Sequence, residues 1–137
     1  MTEHATGSCA CGAVRWAVRA PYRFFQYCHC SRCRKRSGSA HAANIAVLDG
    51  QLDWLAGEDK VTRFELPTAT SWCNAFCSTC GSAAPWRTRN GRAYIVPAGG
   101  LDEPPAHAPQ RNLHFASRAS WYVHAAELPM FDSEPGP

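Results

Sequence analysis

The chain has 137 residues and about 15.0 kDa, the size of one ordinary domain. At 45% hydrophobic and 18% charged residues it can pack a core, which excludes wholesale disorder. A formal charge of +3 is too small to point to nucleic acid, and no apolar run approaches the roughly 20 residues of a membrane span.

The first residues, Met1-Thr2-Glu3-His4, carry an acid and lead into no apolar stretch. No secretory signal is therefore expected, and the cytoplasm is the expected compartment. Short runs rich in aromatic and β-branched residues then follow at 13–18, 24–27, 43–47, 51–55, 61–66, 71–76, 83–88, 93–96 and 121–124. Starts at roughly ten-residue intervals, with Gly and Pro between them, are the pattern of an all-β domain. In Val14-Arg15-Trp16-Ala17-Val18-Arg19 the alternation puts Arg15 and Arg19 on one wet face. One helical turn is predicted over Ser31–Ser37, with Ser31 as N-cap and Gly38 after it. The stretch 102–111 holds Pro104, Pro105 and Pro109 and reads as loop. Residues 133–137 read as a frayed tail. The chain thus reads as one mostly-β domain over 1–137, its core about 7–132. Trp16, Trp54, Trp72, Trp86 and Trp121 fall in strand-like runs and are expected in or beside that core. His107, His114 and His124 have no ligand-like partners in sequence and read as ordinary histidines.

Eight cysteines are the unusual feature. Without a secretory signal, clustered cysteines read as metal sites or catalysis rather than as disulfides, and Cys-x-Cys loops are too tight to bridge without strain. Cys77-Ser78-Thr79-Cys80-Gly81 has the form of a zinc knuckle, in which the turn points both thiolates at one centre and Gly81 takes the backbone angle required. Cys9-Ala10-Cys11 also precedes a glycine, Gly12. Two sulfurs from each pair make a four-thiolate structural zinc site, which would clamp the two ends of the core together.

The group Cys28-His29-Cys30-Ser31-Arg32-Cys33 differs, with three ligands within six residues. Three protein ligands and an open fourth position are the pattern of a catalytic zinc. The competing arrangement is a second closed site completed by Cys73, His41 or His29. His29, between two ligands, would have difficulty reaching the same ion. Beside the triad, Arg32, Arg34, Lys35 and Arg36 read either as a solvated turn balancing thiolate charge or as a rim for carboxylates.

Three stretches together carry a family resemblance. Gly7-Ser8-Cys9-Ala10-Cys11-Gly12-Ala13-Val14, Tyr27-Cys28-His29-Cys30-Ser31-Arg32-Cys33-Arg34-Lys35-Arg36-Ser37-Gly38-Ser39-Ala40 and Phe76-Cys77-Ser78-Thr79-Cys80-Gly81-Ser82 resemble the glutathione-dependent formaldehyde-activating enzyme family, which includes centromere protein V-like proteins. His114-Phe115-Ala116-Ser117-Arg118-Ala119-Ser120-Trp121 and Leu128-Pro129-Met130-Phe131 are similar to its closing segment. The resemblance implies a tent-like all-β fold with two zinc ions per chain. It places Cys9, Cys11, Cys77 and Cys80 on the structural zinc and Cys28, Cys30 and Cys33 on the catalytic one. Cys73 matches no ligand of the family.

The activity implied is condensation of glutathione with formaldehyde to S-hydroxymethylglutathione, a carbon–sulfur lyase reaction. A thiol and a small aldehyde are then the partners, with no nucleic acid and no membrane, and Arg32, Arg34 and Lys35 are candidates to hold the thiol's carboxylates. The alternative is a non-catalytic two-zinc β module that binds a protein partner or carries a thiol ligand. Seven thiolates on two dications would bring the formal +3 to near zero, so the basic residues serve largely as counter-charge.

Overall fold

The computed structural model describes residues 3–136, and the described residues form ten strands and one α-helix joined by turns and short 3-10 segments. In chain order these are β1 His4–Ser8, β2 Arg15–Arg19, β3 Phe24–Cys28, α1 Ser31–Ser37, β4 Ala42–Leu48, β5 Leu52–Ala56, β6 Val61–Glu65, β7 Cys73–Cys77, β8 Trp86–Arg87, β9 Ala93–Pro97 and β10 Arg111–Leu113. The all-β expectation holds. No described helix is long and apolar enough to cross a membrane.

The strands make three sheets, ordered β1-β2-β5, β10-β3-β4-β9-β8 and β6-β7. Every named pairing is antiparallel except that of β10 with β3. The main core lies between the first two sheets: Ala5, Trp16, Val18 and Leu52 meet Phe25, Ile45, Val47, Tyr94 and Val96. Cys9 and Cys77 are buried in this same core. Trp16 is fully buried, which for an indole of 150–250 Å² corresponds to roughly 4–6 kcal/mol of transfer free energy. In β2 the outward face is drier than alternation alone implies. Arg15 is exposed, but Ala17 is buried, and Arg19 is tied down by Asp53 and the Gly50 carbonyl.

Four sequence expectations are corrected. Strand β1 already starts at His4, ahead of the expected beginning of the core near residue 7, and pairs with β2 from His4↔Arg19 to Ser8↔Arg15. Residues 121–124 form no strand: Trp121 lies in a turn closed by Tyr122 N–H on the Ala119 carbonyl and is 65% exposed, while the Tyr122 ring packs edge-on against His29 and Phe115. The proline-rich loop ends earlier than 111, where β10 begins in parallel with β3. The helix is capped by Cys30 and not by Ser31. Of the expected tail, residues 133–136 are exposed without strand or helix, and Pro137 lies outside the described residues.

Candidate metal centre and its cavity

Two tight turns build the first cysteine cluster. After β1, Gly12 N–H donates to the Cys9 carbonyl at 3.0 Å, and Gly12 adopts a left-handed φ of 79°. After β7, Gly81 N–H donates to the Cys77 carbonyl at 2.8 Å with φ 78°. An L side chain is strained at either position, and the two knuckles thus reach one geometry from opposite ends of the core. The four sulfurs of Cys9, Cys11, Cys77 and Cys80 lie within 4.8 Å of one another. Cys9–Cys11 and Cys11–Cys77 are 3.6 and 3.9 Å apart. A tetrahedral ion with 2.3 Å sulfur bonds requires about 3.8 Å between sulfurs. The donor set and its spacing therefore fit zinc.

Electrostatics in the cluster point the same way. Burial opposes the Cys9 thiolate, yet the Val14 N–H at 3.2 Å from its sulfur and the Cys11 and Cys77 thiols bring Cys9 below the ordinary range. The Ser82 hydroxyl and backbone hold Cys80 down at about 5. The Ala13 N–H favours the Cys11 thiolate, but crowding against Cys9 and the other sulfurs drives that thiol up to about 11. Without a cation, four sulfurs so close divide into thiolates and thiols. A dication allows all four to ionise.

The second cluster forms where β3 hands over to α1. Cys28 closes the strand, and Cys30 caps the helix, its sulfur accepting the Cys33 N–H at 3.3 Å. Cys33 lies one turn on, and its side chain is buried. The three sulfurs also lie within 4.8 Å of one another. The Cys33 thiol holds Cys28 at about 5 against the effect of burial, while Cys33 itself is driven upward by donating to Cys28 and by burial. Among the described residues no fourth Cys, His, Asp or Glu ligand atom joins them.

The residues considered as closers of this site are engaged elsewhere. Cys73 is buried in β7, with its sulfur 3.3 Å from Arg63 Nη2 and 3.5 Å from the Ser71 carbonyl that accepts its S–H. His41 stacks on Tyr27 at 4.0 Å, and its Nδ1 lies 3.2 Å from the Ala42 carbonyl. His29 is fully buried, with Nε2 2.8 Å from Asn112 Oδ1 and its ring edge-on to Phe115 and Tyr122.

A cavity of about 550 Å³ opens over the triad and is lined by Arg32, Thr70, Ser71, Trp72 and His114 as well as by the three cysteines. Of the basic residues singled out in the sequence, Arg32 lines this cavity; Arg34 and Lys35 do not. Arg36 packs its guanidinium 4.5 Å above Trp86 and donates to Asn44 Oδ1 at 3.0 Å. His114, read from sequence as ordinary, takes a left-handed φ of 55° at the cavity, and its charge favours the Cys28 thiolate. Non-glycine residues in that conformation are uncommon and concentrate at functional sites. A similar volume, about 560 Å³, lies beside Cys9 between Ser8, Ser82, Gly100 and Asp102, with one cysteine in its wall rather than three.

The fold and the two clusters define a small β domain that presents seven cysteine thiols in metal-binding geometry, four closed on themselves and three facing a cavity. The chain belongs to the glutathione-dependent formaldehyde-activating enzyme family, whose model matches residues 4–117. A Halomonas elongata protein provisionally named a glutathione-dependent formaldehyde-activating enzyme is 40% identical over an 84-residue alignment that covers 56% of this chain and 52% of that protein. The match thus spans about half the length of that relative. A Rhodobacter sphaeroides protein of known crystal structure superposes with a TM-score of 0.61 at 25% identity, over 78% of this chain and 98% of that one.

Proposed function

We propose that this protein is a zinc-dependent thiol–aldehyde enzyme that joins glutathione, or a similar small thiol, to formaldehyde or another small aldehyde. The product from glutathione and formaldehyde is S-hydroxymethylglutathione, and cleavage in reverse makes the enzyme a carbon–sulfur lyase. The observation that carries this reading is the triad. Its three sulfurs gather within 4.8 Å beneath a cavity, and no fourth protein ligand joins them among the described residues.

Cys9, Cys11, Cys77 and Cys80 would hold a structural zinc, and Cys28, Cys30 and Cys33 a second ion accessible from the cavity. Zinc in such a three-ligand site stabilises a thiolate at neutral pH and polarises a carbonyl. The chain's own residues orient the reactants. Arg32 at the rim offers a planar fork to a carboxylate of the thiol. His114, also in the cavity wall, would hold the aldehyde oxygen or pass it a proton. Trp72 packs against the cluster of Cys28, Cys33 and Ala42 and gives the cavity an apolar wall. In the net reaction a sulfur–carbon bond forms, the carbonyl π bond breaks, and the thiol proton ends on the former carbonyl oxygen.

Eight unpaired thiols suit a reducing compartment, and we place the activity in the cytoplasm, with the whole chain working as one domain. The test is a screen of the zinc-loaded protein against small aldehydes with and without glutathione, corrected for the uncatalysed adduct. Formaldehyde conversion that requires glutathione and disappears in Cys30→Ser, while the fold persists, is the expected outcome. Activity retained in Cys30→Ser would refute the catalytic triad.

A further inference from the structure

Part of the wall of the triad cavity does not come from the sheet whose strand β3 leads into the triad. Thr70, Ser71 and Trp72 belong to the 66–72 loop between β6 and β7, which form a two-stranded sheet of their own. Within itself this loop is thinly fastened: Ala69 N–H reaches the Leu66 carbonyl at 3.1 Å, and Leu66 N–H the Trp72 carbonyl at 3.3 Å. The stronger hold comes from Arg89. Its Nη1 donates to the carbonyls of Ala69 at 2.9 Å and Thr70 at 3.4 Å. Its Nη2 donates to those of Leu66 at 2.8 Å and Trp72 at 2.9 Å. Among the described residues no carboxylate forms an ion pair with this guanidinium.

Arg89 stands in the turn between β8 and β9, which is itself set by Thr88 N–H to the Ala93 carbonyl at 2.9 Å and Gly91 N–H to the Thr88 carbonyl at 2.8 Å. β9 pairs with β4, and β4 with β3, the strand that ends in Cys28. One side chain therefore ties the far wall of the cavity to the sheet of the thiols. A planar fork with several fixed donors can serve four carbonyls at once, which the point charge of a lysine cannot.

We propose that Arg89 is a positioning residue: by fixing the 66–72 loop it sets the wall against which the thiol substrate is held over Cys28, Cys30 and Cys33. This rests on the thiol–aldehyde reading of the cavity. Freeing the loop blurs a binding surface and leaves the reacting centre intact, so the loss falls on KM rather than on kcat.

The experiment uses the zinc-loaded protein with Arg89→Met, Arg89→Lys and Arg89→Ala. Arg89→Met is expected to raise KM for glutathione about tenfold with kcat within about twofold, and to leave metal content unchanged. Arg89→Lys recovers little of this, whereas millimolar guanidinium restores Arg89→Ala. In parallel, alkylation of Cys28, Cys30 and Cys33 by iodoacetamide, mapped by peptide mass spectrometry, accelerates several-fold in Arg89→Met while Cys11 and Cys80 keep their rates. An unchanged KM, full recovery by lysine or unchanged alkylation of the triad overturns the proposal. So does loss of metal or of the melting transition in all three variants, which would make Arg89 a general stabiliser. Absence of glutathione-dependent turnover in the wild type would refute the reading of the cavity instead. The alkylation rates, which need no substrate, then decide whether Arg89 governs the wall.

Discussion

The two cysteine clusters differ in what their loss should cost, and the difference follows from where each is packed. Cys77 is fully buried in the main core with Cys9, Trp16 and Val96, and its cluster joins β1 to β7 across almost seventy residues of chain. A structural zinc held there would contribute about 10–16 kcal/mol, as much as or more than the roughly 5–15 kcal/mol that holds a whole domain together. Cys77→Ser should therefore abolish cooperative unfolding. Cys33, by contrast, belongs to a small cluster with Cys28 and Ala42, against which Trp72 and Leu113 pack. Serine there buries one hydroxyl without a good acceptor, a cost of about 1–2 kcal/mol, or roughly 3–10 °C in Tm for a chain of this size. Metal content should fall from two ions per chain to one, and activity should be lost. The assay is thermal unfolding by circular dichroism with zinc counted by mass spectrometry. A Cys77→Ser protein that melts like the wild type, or a Cys33→Ser protein that does not fold, would refute the division of labour between the clusters.

Other outcomes follow from the same geometry. A methyl group at Gly7 would sit 2.5 Å from Cε2 of the fully buried Trp16, so Gly7→Ala should cost about 2–3 kcal/mol in urea denaturation. Arg32→Ala should raise KM for glutathione about fivefold and leave a carboxylate-free thiol such as 2-mercaptoethanol nearly unaffected in steady-state kinetics. Glu103 accepts both the N–H and the hydroxyl of Thr6, at 2.8 and 2.7 Å, and these bonds hold its carboxyl below the ordinary range. A pKa depressed by folding gives stability that is present above the unfolded value and lost as pH falls through the folded one. Glu103→Gln should thus flatten the acid limb of a stability–pH curve, read as the difference in urea midpoint from the wild type below about pH 5.

Local chemistry made much of the site legible. Both knuckles, the triad spacing and the helix Ser31–Ser37 can be read from cysteines and glycines only a few positions apart, because tight turns and short-range ligands are properties of the local chain. Strands with their own apolar or aromatic runs, such as Phe24–Cys28 and Ala42–Leu48, are legible for the same reason. What could not be read depends on partners far away in sequence. His4–Ser8 is small and polar, and its pairing with β2, with Trp16 packed over Gly7, makes it a half-buried strand. Arg111–Leu113 is three residues whose pairing with Gln26, Tyr27 and Cys28 makes it a strand and carries His114 to the triad. The run at 121–124 has strand-like composition, but its aromatic ring is taken up by the buried His29. The cap of α1 is misread from the usual preference for serine, since here the Cys30 sulfur takes the Cys33 N–H. Arg89 carries no motif at all, and its role appears only when the 66–72 loop is folded over it.

The most direct test of the central claim, that one cluster is closed and the other receives a thiol, is zinc X-ray absorption on the fully loaded protein before and after glutathione. Four sulfurs at one ion and three at the other predict a mean of about 3.5 sulfurs per zinc, rising to about 4 when glutathione is added. A mean of 4 sulfurs per zinc without glutathione, unchanged on its addition, would contradict the account and make both clusters structural.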